Sequence, residues 1–122
     1  FMLKLVELTK KNFGEKCNKE DFLDESYFEL DYEGYGKFYE VRNLSGKGEV
    51  KNFRFNMFEL VHIVSILDRE VPFKDYKSAC DGEIWVIKYY DRKGKLLKVF
   101  EGYMYGKRLE EIFNALYLKV KE

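Results

Sequence analysis

Residues 83–90 constrain the fold most strongly, because apolar side chains alternate onto both faces of any strand they form. The segment reads Glu-Ile-Trp-Val-Ile-Lys-Tyr-Tyr, and its β-branched and aromatic residues favour strands. Asp91-Arg92-Lys93-Gly94 follows and is typical of a hairpin turn with glycine in the left-handed position. Residues 96–103 predict the return strand. We therefore expect residues 83–90 to be central in a largely antiparallel sheet.

Two segments predict helices that pack on this sheet. Asn56 and Glu59 have the spacing of a capping box, so the first helix should begin there and run to about Asp68. This helix is apolar nearly all round, which indicates burial on more than one side or contact with a partner. A helix at a dimer interface is therefore one alternative. Residues 107–119 predict a second helix with one apolar face.

The remaining segments complete an α+β fold. Residues 2–8, 26–33, 37–44 and 49–55 predict strands, and residues 10–25 predict a loop or a short helix beginning near Asn18. The order strand, turn, strand, helix occurs at 37–67 and again at 84–116, which raises the hypothesis of a ββα repeat. We predict a mostly antiparallel sheet of five or six strands with two main helices packed on it.

Composition favours one domain over residues 1–122 and narrows the classes of function. Charged residues make up 36% and hydrophobic residues 46%, a balance typical of folded chains. The 22 basic and 22 acidic residues give no net charge, which argues against a general nucleic-acid binder. No apolar run approaches the roughly 18 residues of a membrane span. The N-terminal residues lack a signal-peptide pattern, so we expect a cytoplasmic protein.

An acidic segment is the first candidate binding surface. Alternate residues of a strand share a face, so Glu29, Asp31 and Glu33 should lie close together. With their neighbours, these carboxylates would mimic a phosphate backbone and attract one basic protein partner. The solvated face of a sheet and a hard-cation site are the alternatives. The predicted partner-binding residues are Asp21, Asp24, Glu25, Glu29, Asp31, Glu33 and Tyr35.

A basic and aromatic segment is the second candidate surface. Its tyrosines would stack on bases while its arginine and lysines contact phosphates. The same residues would also suit a protein interface, or would merely cover the sheet and keep its edge soluble. The alternative nucleic-acid-binding residues are Tyr90, Arg92, Lys93, Lys95, Tyr103 and Tyr105.

Signals for catalysis are weak. Asp31 followed by Glu49-Val50-Lys51 resembles the acidic residue and E-x-K pattern of some metal-dependent nucleases, which gives a hydrolase hypothesis. His62 is the only histidine and lies among apolar helical residues. Cys17 and Cys80 form no C-x-x-C pair, although a disulfide between them stays open. We predict no catalytic residues, no metal and no cofactor.

Residues 81–106 carry a resemblance to a known group of proteins. The pattern is Asp-Gly-x-x-Trp-x-Ile-x-Tyr-Tyr-Asp-x-x-Gly-Lys followed by Gly-Tyr-x-Tyr-Gly. It resembles small bacterial toxin-immunity proteins, which are small charged domains with aromatic hairpins and no catalytic motif. Phage-encoded inhibitors of bacterial defence resemble it in the same features. The resemblance implies a soluble protein that binds one macromolecule tightly without a cofactor. Our leading hypothesis is accordingly a non-catalytic inhibitor that neutralises a toxin, with a nuclease as the natural target.

Overall fold

The computed structural model describes residues 3–13, 21–75, 82–102 and 108–121. These residues form eight strands and two helices. In chain order they are β1 (Lys4–Phe13), β2 (Leu23–Asp31), β3 (Tyr35–Arg42), β4 (Gly46–Lys47), β5 (Lys51–Arg54), α1 (Met57–Arg69), β6 (Phe73–Asp75), β7 (Gly82–Tyr90), β8 (Leu96–Gly102) and α2 (Glu110–Lys121). The α+β class predicted from the sequence is confirmed.

All eight strands belong to one mixed sheet. The order is β4-β3-β2-β1-β7-β8-β6. Strand β5 pairs with the same edge of β3 as β4 does, but with residues 35–38 of β3, whereas β4 pairs with residues 41 and 42. Every pairing is antiparallel except that of β6 with β8, which is parallel. The predicted number of five or six antiparallel strands is therefore wrong. The missed strands β4 and β6 have two and three residues, too few to leave a periodic pattern.

The β1–β2 pair extends further than the sequence predicted. Residues 10–13 and 23–25, which we expected in a loop or short helix, belong to β1 and β2. Lys10 lies opposite Ser26 on one side and Trp85 on the other, and the Asn12 amide donates a 2.7 Å hydrogen bond to the Leu23 carbonyl. Pairing with two neighbours thus overrides the polar character of this segment. Residues 14–20, where the short helix was expected, lie outside the described part of the chain.

The central position predicted for residues 83–90 is confirmed. β7 lies between β1 and β8, and cross-strand register aligns one buried apolar residue from each of five strands. In spatial order these are Phe38, Phe28, Leu8, Ile87 and Phe100. Burial of such side chains provides the main stabilisation of the fold. We call the side of the sheet that carries this row the inner face.

Both helices pack on the inner face. In α2, the ring of Phe113 lies 5.5 Å from that of Phe28 and 5.0 Å from that of Trp85, measured between centroids. In α1, Ile63, Ile66 and Leu67 are buried. The opposite side, which we call the outer face, is not covered by any of the described helices.

Both ends of α1 are fixed by side chains. At the N-terminal end, Asn56 Oδ1 accepts the Glu59 amide and Glu59 Oε1 accepts the Asn56 amide, each at 2.9 Å, which confirms the predicted capping box. Burial alone would raise the pKa of the Glu59 carboxyl. The Asn56 amide and the Lys119 ammonium group outweigh that effect and hold this pKa below its ordinary value of 4.5.

At the C-terminal end of α1, three backbone carbonyls share one ammonium group. Lys98 Nζ donates to the carbonyl oxygens of Leu67, Asp68 and Glu70 at 2.9, 2.8 and 2.9 Å. The buried Tyr89 hydroxyl donates to the Asp68 carboxylate at 2.6 Å. These bonds satisfy acceptors that the helix itself leaves open and tie α1 to β7 and β8.

The ββα repeat is only partly reproduced. In each predicted unit a strand pair precedes a helix, and equivalent helical positions such as Ile63 and Ile112 are buried. The strand pairs differ, however. β7 and β8 form one long hairpin, whereas β3 pairs with the two short strands β4 and β5. The second helix also begins at Glu110 rather than Lys107.

Replacing Lys98 with methionine tests the C-terminal cap of α1. We expect a loss of about 1–3 kcal/mol in the free energy of unfolding, because helix carbonyls lose a charged donor. Urea denaturation measures the loss, and Lys51→Met at an exposed position of β5 is the matched control. Equal losses in the two variants would contradict the role assigned to Lys98.

Candidate protein-binding site

Helix α1 has a second apolar side that faces away from the core. Met57, Phe58 and Val61 are 74%, 86% and 60% exposed, and we call these three residues the α1 stripe. The fold therefore uses only one side of a helix that is apolar nearly all round. The sequence indicated burial on more than one side or a partner, but it gave no means of telling which side the core would leave uncovered.

A groove of about 600 Å³ runs beside the α1 stripe. It lies between α1, the start of β1, the turn after β2 and the turn after β7. Its lining residues are Leu5, Tyr32, Met57, Leu60, Val61, Val64, Ser65, Asp68, Arg69 and Arg92. We call it the α1 groove. Its size falls within the range of sites that bind ligands, and its walls are apolar except at the end nearest the C-terminus of α1.

The polar end of the α1 groove is held by hydrogen bonds and a cation–π contact. The Tyr32 hydroxyl donates to the Tyr90 carbonyl at 2.5 Å, and the Arg92 guanidinium lies 4.6 Å from the centre of the Tyr32 ring. Burial raises the pKa of the Tyr89 hydroxyl, and the hydrogen bond to Asp68 raises it further. Tyr89 therefore remains a protonated donor at neutral pH and keeps the Asp68 carboxylate in place.

Two of the predicted acidic binding residues stabilise turns of this chain. Asp21 accepts hydrogen bonds from the Leu44 and Ser45 amides and from the Ser45 hydroxyl. The Ser45 hydroxyl is the main cause of the lowered pKa of Asp21. Asp31 Oδ1 accepts the amides of Glu33 and Tyr35 at 2.8 and 3.0 Å. Asp31 thus caps its own turn, whereas Asp21 holds the distant turn after β3.

The acidic residues of β2 face lysines on the neighbouring strands. Glu29 lies opposite Lys37 of β3 and is 3.0 Å from Lys4 Nζ, which also contacts Glu7. Burial works to lower the pKa of the Lys4 ammonium group, but its hydrogen bonds to Glu7 and Glu29 outweigh burial and raise it. Glu25 lies opposite Lys11. The outer face therefore carries mixed charge rather than one acidic surface.

The other three predicted acidic-surface residues are scattered. Asp24 is half-buried on β2, and Glu33 is exposed in the turn after that strand. The Tyr35 ring lies 4.1 Å from the Arg54 guanidinium, and its hydroxyl accepts a 2.9 Å hydrogen bond from Arg54 Nη1. Tyr35 therefore contacts a basic residue of the same chain.

The predicted nucleic-acid-binding residues do not share one described surface. Tyr90 is half-buried on the outer face, whereas Arg92 lines the α1 groove on the helix side of the sheet. Lys93 and Lys95 are exposed in the turn, where their amides donate to Asp91. Tyr103 and Tyr105 lie outside the described residues, as do Cys17 and Cys80.

The residues of the hydrolase hypothesis are also apart. Asp31 caps a turn, Glu49 is exposed in the loop before β5, and Lys51 pairs with Phe38 further along the sheet. Within the described ranges, no three His, Cys, Asp or Glu side chains are grouped so that they could hold a metal ion. His62 is exposed on α1, with Nε2 3.8 Å from a Glu111 carboxylate oxygen.

Comparison with protein-family models, with curated proteins and with solved structures found no match. Neither of the described helices is long and apolar enough to cross a membrane.

Replacing Lys4 with methionine tests the charge balance of the outer face. Glu7 lies directly opposite Glu29, so removal of the shared ammonium group leaves two carboxylates in repulsion. We expect a loss of about 0.5–1 kcal/mol in the free energy of unfolding at neutral pH, measured by urea denaturation.

The double variant Lys4→Met/Glu29→Gln is the control for that measurement. Because it removes one of the two opposed charges, most of the lost stability should return. An equal loss in the single and double variants would show that Lys4 acts through packing of its alkyl chain instead.

Proposed function

We propose that this protein is a non-catalytic protein-binding inhibitor that contacts one partner through the α1 stripe and the α1 groove. The observation that carries the proposal is the exposure of Phe58, a residue 86% exposed on a helix fixed at both ends. Single exposed apolar residues are ordinary, but a cluster next to an apolar groove is typical of interaction surfaces.

The energetics favour this surface over the acidic strand. Burial of each large apolar side chain of the α1 stripe against a partner would contribute about 1.5–3 kcal/mol. Capping at both ends holds α1 before binding, so little ordering entropy is lost on association. In contrast, Asp21, Asp31 and Glu29 already have partners within the chain. A partner would have to displace these contacts to use them.

The biological setting that we propose comes from the sequence resemblance. An immunity protein or a related inhibitor binds one protein tightly and needs no cofactor. A preformed apolar surface beside a groove suits such a role, because aromatic and aliphatic anchors dominate the energetics of tight interfaces. We therefore propose a toxin or another enzyme as the partner, bound through α1 rather than through charge mimicry.

Capture from a lysate of the source cell with matched charge variants tests the proposal. We compare wild type, Phe58→Glu on α1 and Leu118→Glu on α2, where Leu118 is 64% exposed. Both substitutions place a charge on an exposed helical position, so stability should change by no more than about 0.5 kcal/mol. We expect one stoichiometric protein with wild type and Leu118→Glu, and its loss with Phe58→Glu.

Other capture patterns would contradict the proposal in identifiable ways. Retention of the partner by Phe58→Glu together with its loss on charge reversal of Glu29 would favour the acidic segment. Recovery of nucleic acid, lost when Arg92 and Lys93 are reversed, would favour the nucleic-acid-binding alternative.

A further inference from the structure

The polar end of the α1 groove has an uneven charge. Arg69 and Arg92 line it together with a single carboxylate, that of Asp68. The Tyr89 hydroxyl already donates to this carboxylate at 2.6 Å. Neither arginine forms a salt bridge with a carboxylate among the described residues. The groove thus joins apolar walls to an end where two guanidinium groups have no acidic partner within the described part of the chain.

Guanidinium groups favour one type of partner at such a position. Their planar donors match both oxygens of a carboxylate, and such charge-assisted pairs are stronger than neutral hydrogen bonds. The neighbouring helix C-terminus would otherwise attract the arginines, but Lys98 already occupies its carbonyls. Arg92 stacks on Tyr32, which limits its freedom before binding. Both guanidinium groups are therefore available to a ligand.

We infer that the α1 groove receives a segment of the partner protein that places bulky apolar side chains next to an acidic residue, whose carboxylate binds Arg69 and Arg92. This inference rests on the proposed function and specifies the chemistry of the partner. The apolar side chains lie against Leu60, Val61 and Val64, and the carboxylate lies at the C-terminal end of α1.

A second copy of the chain is a poorer occupant of the groove. Its own α1 stripe would bring the two carboxylates of that helix, Glu59 and Asp68. The first is bound by the Asn56 amide and is 2.8 Å from Lys119 Nζ, and the second is bound by Tyr89. Neither is available to pair with arginines, so charge complementarity favours a different protein.

Selection from a displayed library of random peptides tests the inference with a defined probe. Wild type, Arg69→Glu/Arg92→Glu and the control Arg42→Glu/Lys51→Glu are immobilised in parallel. Wild type and control should enrich peptides that carry Asp or Glu beside bulky apolar residues. The double arginine variant should enrich Lys or Arg instead, and it should bind the peptides selected by wild type about tenfold or more weakly.

Each alternative outcome has a distinct meaning. Enrichment without a preference for acids, or a preference that survives Arg69→Glu/Arg92→Glu, would overturn the inference and leave the proposed function standing. Acidic peptides that bind Val61→Glu as well as wild type would place the site outside the groove and overturn the inference. Sedimentation that shows a wild-type dimer dissociated by Val61→Glu would assign the groove to a second copy and overturn it as well.

Discussion

The ammonium group of Lys98 holds the C-terminal end of α1 against the sheet, and the shape of the exposed surface depends on that contact. A helix end has carbonyls that must find donors, and here one cation of β8 serves three of them while Tyr89 of β7 binds Asp68. This contact holds the end of the helix, and packing against the inner face directs one side of the helix inward. Ile63 and Leu67 enter the core, and the α1 stripe is left in solvent.

Sequence signals predicted the parts of the fold that depend on neighbouring residues. The capping box of α1 and the central position of β7 were predicted from local patterns, and both are confirmed. Strand β6 was missed because three residues carry no period, and its parallel pairing with β8 joins segments that are distant in sequence. The extension of β1 through Lys10–Lys11–Asn12 likewise depends on two neighbouring strands rather than on the segment's own propensity.

The candidate site likewise combines features that the local sequence pattern predicted with features that only tertiary packing determines. Alternation along the predicted strand grouped Glu29, Asp31 and Glu33, but Glu33 lies in the turn after β2, and a single strand gives no information about what lies beside it. Register brings Lys37 and Lys4 next to Glu29, and Lys11 next to Glu25, which leaves the surface with mixed charge. For α1 the pattern indicated two apolar sides, and only packing against the sheet decides which side remains exposed. The α1 groove also joins residues from four separate parts of the chain.

Hydroxyl-radical footprinting of the free protein and of its captured complex distinguishes binding at α1 from binding at the outer face, because oxidation reports side-chain exposure residue by residue. We expect rapid labelling of Met57 and Phe58 in the free protein and strong protection of both in the complex. Tyr27 and Tyr39, stacked on the outer face with ring centroids 5.0 Å apart, should label equally in both states. Protection of those tyrosines with continued labelling of Met57 and Phe58 would rule out binding through α1 and assign it to the sheet.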